Sequence, residues 1–171
     1  MRVVKGVFLF LITFYIAFIA FMPKQELYFY LEQQLKKNGV TIYNESFKET
    51  PLALQVSNAI IEYEGVDVAQ FNMLTIKAYL FINTLELEHL ELLDLAKKAL
   101  DIEIEKLEAK HTILKPFLIT LQATGSFGSA TGYINLKARV LHIDITDAQN
   151  ILNLKKFLVK GEKGWYYEKR F

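Results

Sequence analysis

An uninterrupted apolar run stands near the start of the chain. From Gly6 to Met22 the sequence reads GVFLFLITFYIAFIAFM and holds no charged residue. Extended back to Val3, the run is about 20 residues long, which matches the hydrocarbon core of a membrane for a helix that rises 1.5 Å per residue. Residues 1–22 are therefore predicted to form a transmembrane anchor.

The charges around this run predict its orientation. Arg2 and Lys5 are the only charged residues in 1–22, and positive charge collects on the cytoplasmic side of membrane helices. The N-terminus is thus expected in the cytoplasm, with the bulk of the chain across the membrane. The alternative is a cleaved signal peptide, which needs a shorter apolar core and small residues before the cut. The run ends in Ala17–Met22, where two alanines stand among large residues, and this favours an uncleaved anchor.

A helical period follows Pro23. Leucines recur every fourth residue from Leu27 to Leu35, which places them on one stripe of a helix. Gly39 suits the position just after a helix end. Residues 23–39 are predicted to form a membrane-proximal helix.

From residue 40 onward the hydrophobic period changes to two. Alternation of apolar and polar residues is typical of antiparallel strands with one buried and one wet face. At His89–Leu90 the alternation slips, which predicts a β-bulge. The pattern predicts a mainly β (α+β) fold, in which the transmembrane helix is followed by a curved antiparallel β-sheet domain over residues 40–171. The alternating stretches are 54–60, 74–80, 85–91, 102–105, 117–123 and 134–145.

Two segments of this domain have a helical rather than a strand pattern. One or two helical turns are predicted around Asp94–Lys98, and a longer helix is predicted from Asp147 to Leu158, with Asp147 or the preceding threonine as its cap. With the membrane-proximal helix, the fold is expected to contain two or three short helices. Gly164–Phe171 is predicted to form the last strand.

Composition and charge narrow the classes of function. The 171 residues include 20 Lys and Arg and 19 Asp and Glu. Two of the basic residues, Arg2 and Lys5, belong to the anchor, so the rest of the chain has 18 basic against 19 acidic residues and a net charge of −1. A near-neutral domain lacks the basic face that nucleic-acid binding requires, so no nucleic-acid partner is expected. The absence of cysteine excludes disulfides, thiolate nucleophiles and Cys-based zinc sites.

The histidines do not indicate a catalytic or metal site. His89, His111 and His142 fall on three separate predicted strands, and none has a second ligand at helical spacing. His142 and Asp144 share a strand face, but without a third ligand we interpret them as part of a solvated face. No catalytic, metal-binding or cofactor-binding residue is predicted, and the protein is not expected to be an enzyme.

The glycine-rich stretch Gly125–Gly132 reads GSFGSATG. It lacks the Gly-Lys-Ser/Thr ending of a phosphate-binding loop, and a strand rather than a helix follows it. We interpret it as a hairpin or a tight strand crossing, where glycine allows two backbones to approach closely.

The order of these features resembles a known family. An N-terminal span and a short helix are followed by the strand segments Leu85–Glu91 and Asp101–Lys110, and then by ATGSFGSATGYINLKARVLHIDIT at residues 123–146. Over most of residues 1–146 the pattern is similar to the type II secretion system protein N (GspN) family and, more distantly, to AsmA-like envelope proteins. The resemblance implies a single-pass protein of the bacterial inner membrane with a periplasmic β-domain. It implies no catalytic residues and no cofactor.

Two functions remain open at this point. The resemblance implies either an accessory component of envelope assembly or type II-like secretion, whose partners are other envelope or secretion-system proteins, or a lipid-binding or lipid-transfer module with an apolar β-groove. The predicted strands have more large apolar residues than two short helices can cover, so part of their face is expected to form an open groove in the isolated domain. The candidate groove residues are Leu74, Ile76, Leu80, Phe117, Ile119, Leu121, Ile134 and Leu136.

Overall fold

The computed structural model of the chain describes residues 2–162 and 164–171. It begins with helix α1 (Arg2–Phe21) and helix α2 (Lys24–Lys36), which confirms both predicted N-terminal helices. Pro23 separates them, because a proline has no backbone N–H with which to continue α1. The segment Val3–Phe21 is long and apolar enough to cross a membrane, and a signal sequence would meet the same description.

The rest of the described chain forms one antiparallel sheet with a third helix, α3 (Asp94–Leu100), at one end. This confirms the mainly β fold class and the helical turn predicted around Asp94–Lys98. The strands are β1 (Val40–Tyr43), β2 (Ser46–Glu49), β3 (Leu54–Tyr63), β4 (Val66–Tyr79), β5 (Ile82–Leu92), β6 (Glu103–Thr112), β7 (Leu118–Gly125), β8 (Gly128–Asn135), β9 (Val140–Ala148), β10 (Val159–Gly161) and β11 (Gly164–Arg170).

The topology is that of an open meander. From β3 to β9 each strand pairs with the next along the chain, and β11 then lies between β9 and β10. At the other edge β1 and β2 pair with the two halves of β3. Among the described residues no pairing joins β10 to β1 or β2, so the sheet has two free edges.

One residue in each of the long strands β3 to β6 is left out of the regular pairing, and these four residues form a line across the sheet that we name the crease. The pairs Ser57–Met73 and Ala59–Phe71 flank it between β3 and β4, and the same line continues through the next two strands. Two of its residues have left-handed backbones, with φ of 57° in β3 and 50° in β5. The crease residues, all exposed, are Asn58, Asn72, His89 and Glu105.

The crease reverses the side-chain alternation without turning the apolar residues outward. Strict alternation would put residues three apart on opposite faces. Across the crease, however, Val56 and Ala59 belong to the same hydrophobic cluster. The change of alternation at His89–Leu90 is therefore present, but the β-bulge predicted there is wrong, because β5 keeps its register with β4 and with β6. The register with β6 is kept because β6 changes parity at the same line. The same holds in β4 for Phe71 and Leu74 and in β5 for Leu87 and Leu90: each pair is three residues apart, and both members lie in the first hydrophobic cluster or pack against it.

The strands meet their turns at two distinct ends of the sheet. We term proximal the end that holds turns 50–53, 80–81, 113–117 and 136–139, because α1 joins the sheet there. Backbone bonds tie these turns together: the N–H of Ile113 donates to the carbonyl of Phe81 at 3.0 Å, and the N–H of Leu136 donates to that of Phe117 at 2.8 Å. The distal end holds turn 64–65, α3 and the segment 149–158.

Two hydrophobic clusters cover separate parts of the sheet. In the first, Tyr28 of α2 packs with buried residues of β3 to β5, among them Leu54 and Val56. The second lies near the distal end, where Ile151 packs with Phe127 and Ala130. The sheet face between the two clusters is left without a covering element among the described residues.

A buried lysine joins α1, α2 and the sheet. Lys24 is 1% exposed, and its Nζ donates to the carbonyl of Ile19 at 3.0 Å and to that of Met22 at 3.2 Å. The Ile19 carbonyl belongs to the last turn of α1, where a cation is favourable, and the Met22 carbonyl directly follows the helix. The same Nζ lies 3.9 Å from the carboxylate of Glu49 at the end of β2.

Two further sequence-based assignments are wrong. The helix predicted for Asp147–Leu158 does not form, because residues up to Ala148 continue β9 and the rest forms consecutive turns in which Ile151 accepts the N–H of Leu154. The single strand face predicted through Ile134–Val140 is interrupted by the turn 136–139. The final strand is β11, as predicted.

Lys24→Ala should destabilise the junction. It removes the ammonium donor from the carbonyls of Ile19 and Met22, and hydrogen bonds to charged groups contribute about 1.5–3 kcal/mol each. We expect the free energy of unfolding of the detergent-solubilised chain to fall by about 2–3 kcal/mol. The matched control is Lys36→Ala at the exposed end of α2, which should change it by no more than about 0.5 kcal/mol. Equal effects of the two changes would show that the junction does not depend on Lys24.

Tyr28→Phe should stabilise the fold. The Tyr28 hydroxyl is buried and has no hydrogen-bond partner, and burial, reinforced by Glu45 and Glu32, raises the pKa of this phenol. Removing the hydroxyl should add about 1 kcal/mol, measured by chemical unfolding. Since the folded phenol stays neutral while the unfolded one ionises near pH 10, the parent should also lose stability above that pH. Tyr30→Phe, at an exposed position, is the control, and a destabilised Tyr28→Phe would contradict the prediction.

Candidate functional site: the apolar face of the sheet

Cross-strand pairing collects apolar residues into rows on one face of the sheet. Residues directly opposite each other on paired strands share a face, as do residues two apart on one strand. One row consists of Leu54, Ile76, Leu85, Ala109, Leu121, Gly132 and Ile143. The next row, nearer the proximal end, consists of Ala78, Asn83, His111, Ile119, Ile134 and Leu141.

The eight candidate groove residues fall on this face or on its proximal edge. Five lie in the strands, in β4, β7 and β8, and three lie in the proximal turns. The strand residues are Leu74, Ile76, Ile119, Leu121 and Ile134. The turn residues are Leu80, Phe117 and Leu136.

Burial divides the eight into core and open positions. Leu74 is only 8% exposed and belongs to the first cluster, so it is a core residue and does not line an open groove. Ile76 is half-buried and packs against the same cluster. The other six belong to neither cluster. We name the half-buried residues between the clusters the strip; it consists of Ile119, Leu121, Ile134 and Leu141.

An apolar cleft lies between α2 and the proximal half of β4. Its volume is about 400 Å³, which is within the range of small-molecule sites. Leu27 and Leu31 of α2 form one wall, and Ile76 and Leu80 lie on the other. The four-residue spacing of the α2 leucines predicts a stripe on the helix, but it does not show that this stripe faces the sheet.

A second apolar cleft separates α1 from the turn between β4 and β5. It measures about 480 Å³, with Phe8, Tyr15 and Phe18 of α1 on one side and Leu80 and Phe81 on the other. The ring centroids of Tyr15 and Phe81 are 5.6 Å apart. Because Leu80 lines both clefts, an apolar surface continues from the flank of α1 onto the face of the sheet.

The opposite face of the sheet is polar. On it His142 lies between the rings of Tyr133 and Tyr166, with centroid distances of 5.3 and 5.4 Å. Its two ring nitrogens are 3.2 Å from a carboxylate oxygen of Asp144 and 3.1 Å from one of Glu168. Within the described residues, no group of three or more His, Asp or Glu side chains is arranged so that it could hold a metal ion.

The remaining histidines and the glycine stretch have structural surroundings. Nε2 of His111 is 3.1 Å from the carbonyl oxygen of Pro116, and His89 belongs to the crease. Gly125–Gly132 forms the β7–β8 hairpin, as predicted. A Cβ added at Gly132 would meet the carbonyl oxygen of His142 in β9, so this position requires the close backbone approach that only glycine permits.

Neither a protein-family model, nor a curated protein, nor a solved structure matches the chain. The resemblance to secretion and AsmA-like envelope proteins stays a prediction.

The division between core and strip predicts unequal effects of truncation. Leu74→Ala, in the buried cluster, should lower the free energy of unfolding by about 2–5 kcal/mol because it leaves a cavity. Leu121→Ala, at a half-buried position open to solvent, should cost about 1 kcal/mol because little contact area is lost. Chemical unfolding of the two variants beside the parent measures the difference. Equal losses would mean that the strip is as closely packed as the core.

Proposed function

We propose that this chain is a non-enzymatic membrane protein that holds lipid acyl chains on the open part of its sheet face. The observation on which the proposal depends is the continuity of apolar surface through Leu80, from the flank of α1 to the face that contains the strip. A lipid acyl chain is the ligand that such a surface suits, since it offers apolar contacts with few polar groups.

The proposal requires α1 to remain attached as an anchor. Ile19, two residues before the end of α1, is buried, and its carbonyl is an acceptor for Lys24. Cleavage within Ala17–Met22 would remove an acceptor of a buried ammonium group, which is costly to leave unpaired. This integration supports a retained anchor over a cleaved signal sequence.

We further propose the orientation and compartment. Arg2 and Lys5 favour a cytoplasmic N-terminus, which puts the sheet domain in the periplasm if the membrane is a bacterial inner membrane, as the resemblance implies. A reporter fused after Phe171 should then be active only on the periplasmic side, and cytoplasmic activity would overturn this orientation.

The acyl chain would reach the strip by leaving the bilayer beside α1. The cleft at Tyr15 and Phe81 opens along the helix, and the cleft behind it leads to Ala78 and Asn83. These two residues belong to the same cross-strand row as Ile119, and in that row His111 lies between Asn83 and Ile119. A lipid could therefore occupy the strip while its head group stays near the proximal end of the sheet.

The test is photocrosslinking of the full chain in lipid nanodiscs that contain a phospholipid with a photoactivatable acyl chain. Crosslinks located by mass spectrometry are expected on α1 and also on Leu121, which lies inside the strip. Ile119→Asp should reduce labelling of Leu121 about tenfold, because a buried carboxylate excludes the acyl chain. Thr120→Asp, on the polar face of the same strand, is the control and should label like the parent.

Two outcomes would contradict the proposal. Crosslinks confined to α1 would show that no acyl chain reaches the sheet. Equal labelling of Leu121 in the Ile119→Asp and Thr120→Asp variants would show that the labelling is not specific to the apolar face. Thermal unfolding of both variants must accompany the experiment, so that loss of fold is distinguished from loss of lipid.

The free sheet edges favour a second candidate function. The described sheet ends at β10 on one side and at β1 and β2 on the other, and an edge strand can accept a strand from a partner protein. This arrangement suits an accessory component of envelope assembly or secretion. Co-purification of an envelope protein with a chain that carries no acyl crosslink on the sheet would favour this function over lipid binding.

A further inference from the structure

The proximal turns expose large apolar side chains in a row. Turn residues are ordinarily polar or glycine and proline, yet here each of the four turns presents an apolar residue to solvent, and Leu114 at the tip of one of them is 90% exposed. We name this row the rim; it consists of Leu52, Phe81, Ile113, Leu114, Phe117 and Leu136.

The absence of acidic residues distinguishes the rim from the distal end. The turns 50–53, 80–81, 113–117 and 136–139 contain no Asp or Glu, and they present three exposed cations, Lys115, Lys137 and Arg139. At the distal end acidic and basic side chains are mixed: Glu64, Asp94 and Asp101 occur there together with the exposed Lys97, Lys98, Lys155 and Lys156. Apolar tips with basic neighbours match a bilayer surface that contains anionic lipid, since the basic side chains reach the head groups while the apolar ones enter the acyl region.

The rim also lies at a position along α1 that would place it at the membrane interface. Phe81 contacts Tyr15, which is six residues before the end of the helix at Phe21, or about 9 Å along its axis. If α1 crosses the membrane, Phe81 is below the level at which the helix emerges. Side chains that lie in the interface penetrate about 5–10 Å into the boundary between head groups and acyl chains.

We infer that the rim is a second membrane-contact surface, which inserts into the head-group region of an anionic bilayer and seats the proximal end of the sheet on the membrane that α1 crosses. The inference rests on the anchor in the proposed function. It does not require an acyl chain to occupy the strip.

The absence of cysteine allows a direct test on the full chain. Leu114→Cys on the rim and Leu152→Cys, an exposed apolar position at the distal end, are each labelled with an environment-sensitive fluorophore and reconstituted into vesicles. The vesicles contain phosphatidylcholine and phosphatidylglycerol with brominated acyl chains. The Leu114 label is expected to shift to shorter wavelength and to lose fluorescence to the bromine atoms, whereas the Leu152 label should do neither.

The basic residues are tested in the same way. In the Leu114→Cys background, Lys137→Glu with Arg139→Glu should reduce quenching in mixed vesicles, and replacing phosphatidylglycerol by phosphatidylcholine should reduce it in the parent. If neither the two substitutions nor the removal of phosphatidylglycerol reduces quenching, the preference for anionic lipid is overturned.

Flotation separates the failure of this inference from failure of the anchor. If the chain floats with vesicles but its Leu114 label remains unquenched, the chain is anchored while the rim is exposed to water. This result would overturn the inference and leave the proposed function unaffected. A chain that does not float overturns both. Equal quenching of the Leu114 and Leu152 labels would also overturn the inference, because it would show no preference for the proximal end.

Discussion

Each strand of this sheet must present its apolar residues to the same face. Side chains alternate with a period of two, so any local change of backbone conformation threatens to turn the remainder of a strand outward. Here the change happens in β3, β4, β5 and β6 at one line, with left-handed residues at Asn58 and His89. Because neighbouring strands reverse their side-chain alternation at the same line, the pairing register of β5 with β4 and with β6 is unchanged there. The first hydrophobic cluster therefore extends across the line.

The extent of this common face explains why part of it is left open. An antiparallel sheet of eleven strands offers more apolar surface than one short helix and one irregular segment can cover. Tyr28 covers the face at β3 to β5, and Ile151 covers it near the distal end. What lies between them is the strip, and its neighbours at the proximal end are the cleft beside α2 and the rim. The extent of this uncovered surface is set by the positions at which the covering elements end.

Sequence patterns anticipated the features that depend on neighbours along the chain. Period-two alternation indicated the strands and assigned the groove candidates to one face, and apolar length indicated α1. The errors arose where pairing between distant segments decided the outcome. Asp147 stands at the start of a plausible helix, yet pairing with β8 draws the segment into β9. Turn 136–139 was hidden because its residues continue the alternation without glycine or proline. Leu74 was assigned to the groove because alternation shows which face a residue occupies but not whether a helix covers it.

The junction at Lys24 has a mechanical consequence. Only two residues, Met22 and Pro23, separate the two helices, and the ammonium group of Lys24 links the end of α1 to the following helix and to β2. A long flexible linker would allow a domain to adopt many orientations relative to its anchor. Joined in this way, the sheet keeps a fixed orientation relative to α1, so in the proposed anchored state the helix sets both the tilt of the sheet and its height above the membrane. Any ligand or partner embedded in the same membrane would then meet the sheet in a fixed pose, without the loss of orientational entropy that a loosely tethered domain incurs on binding.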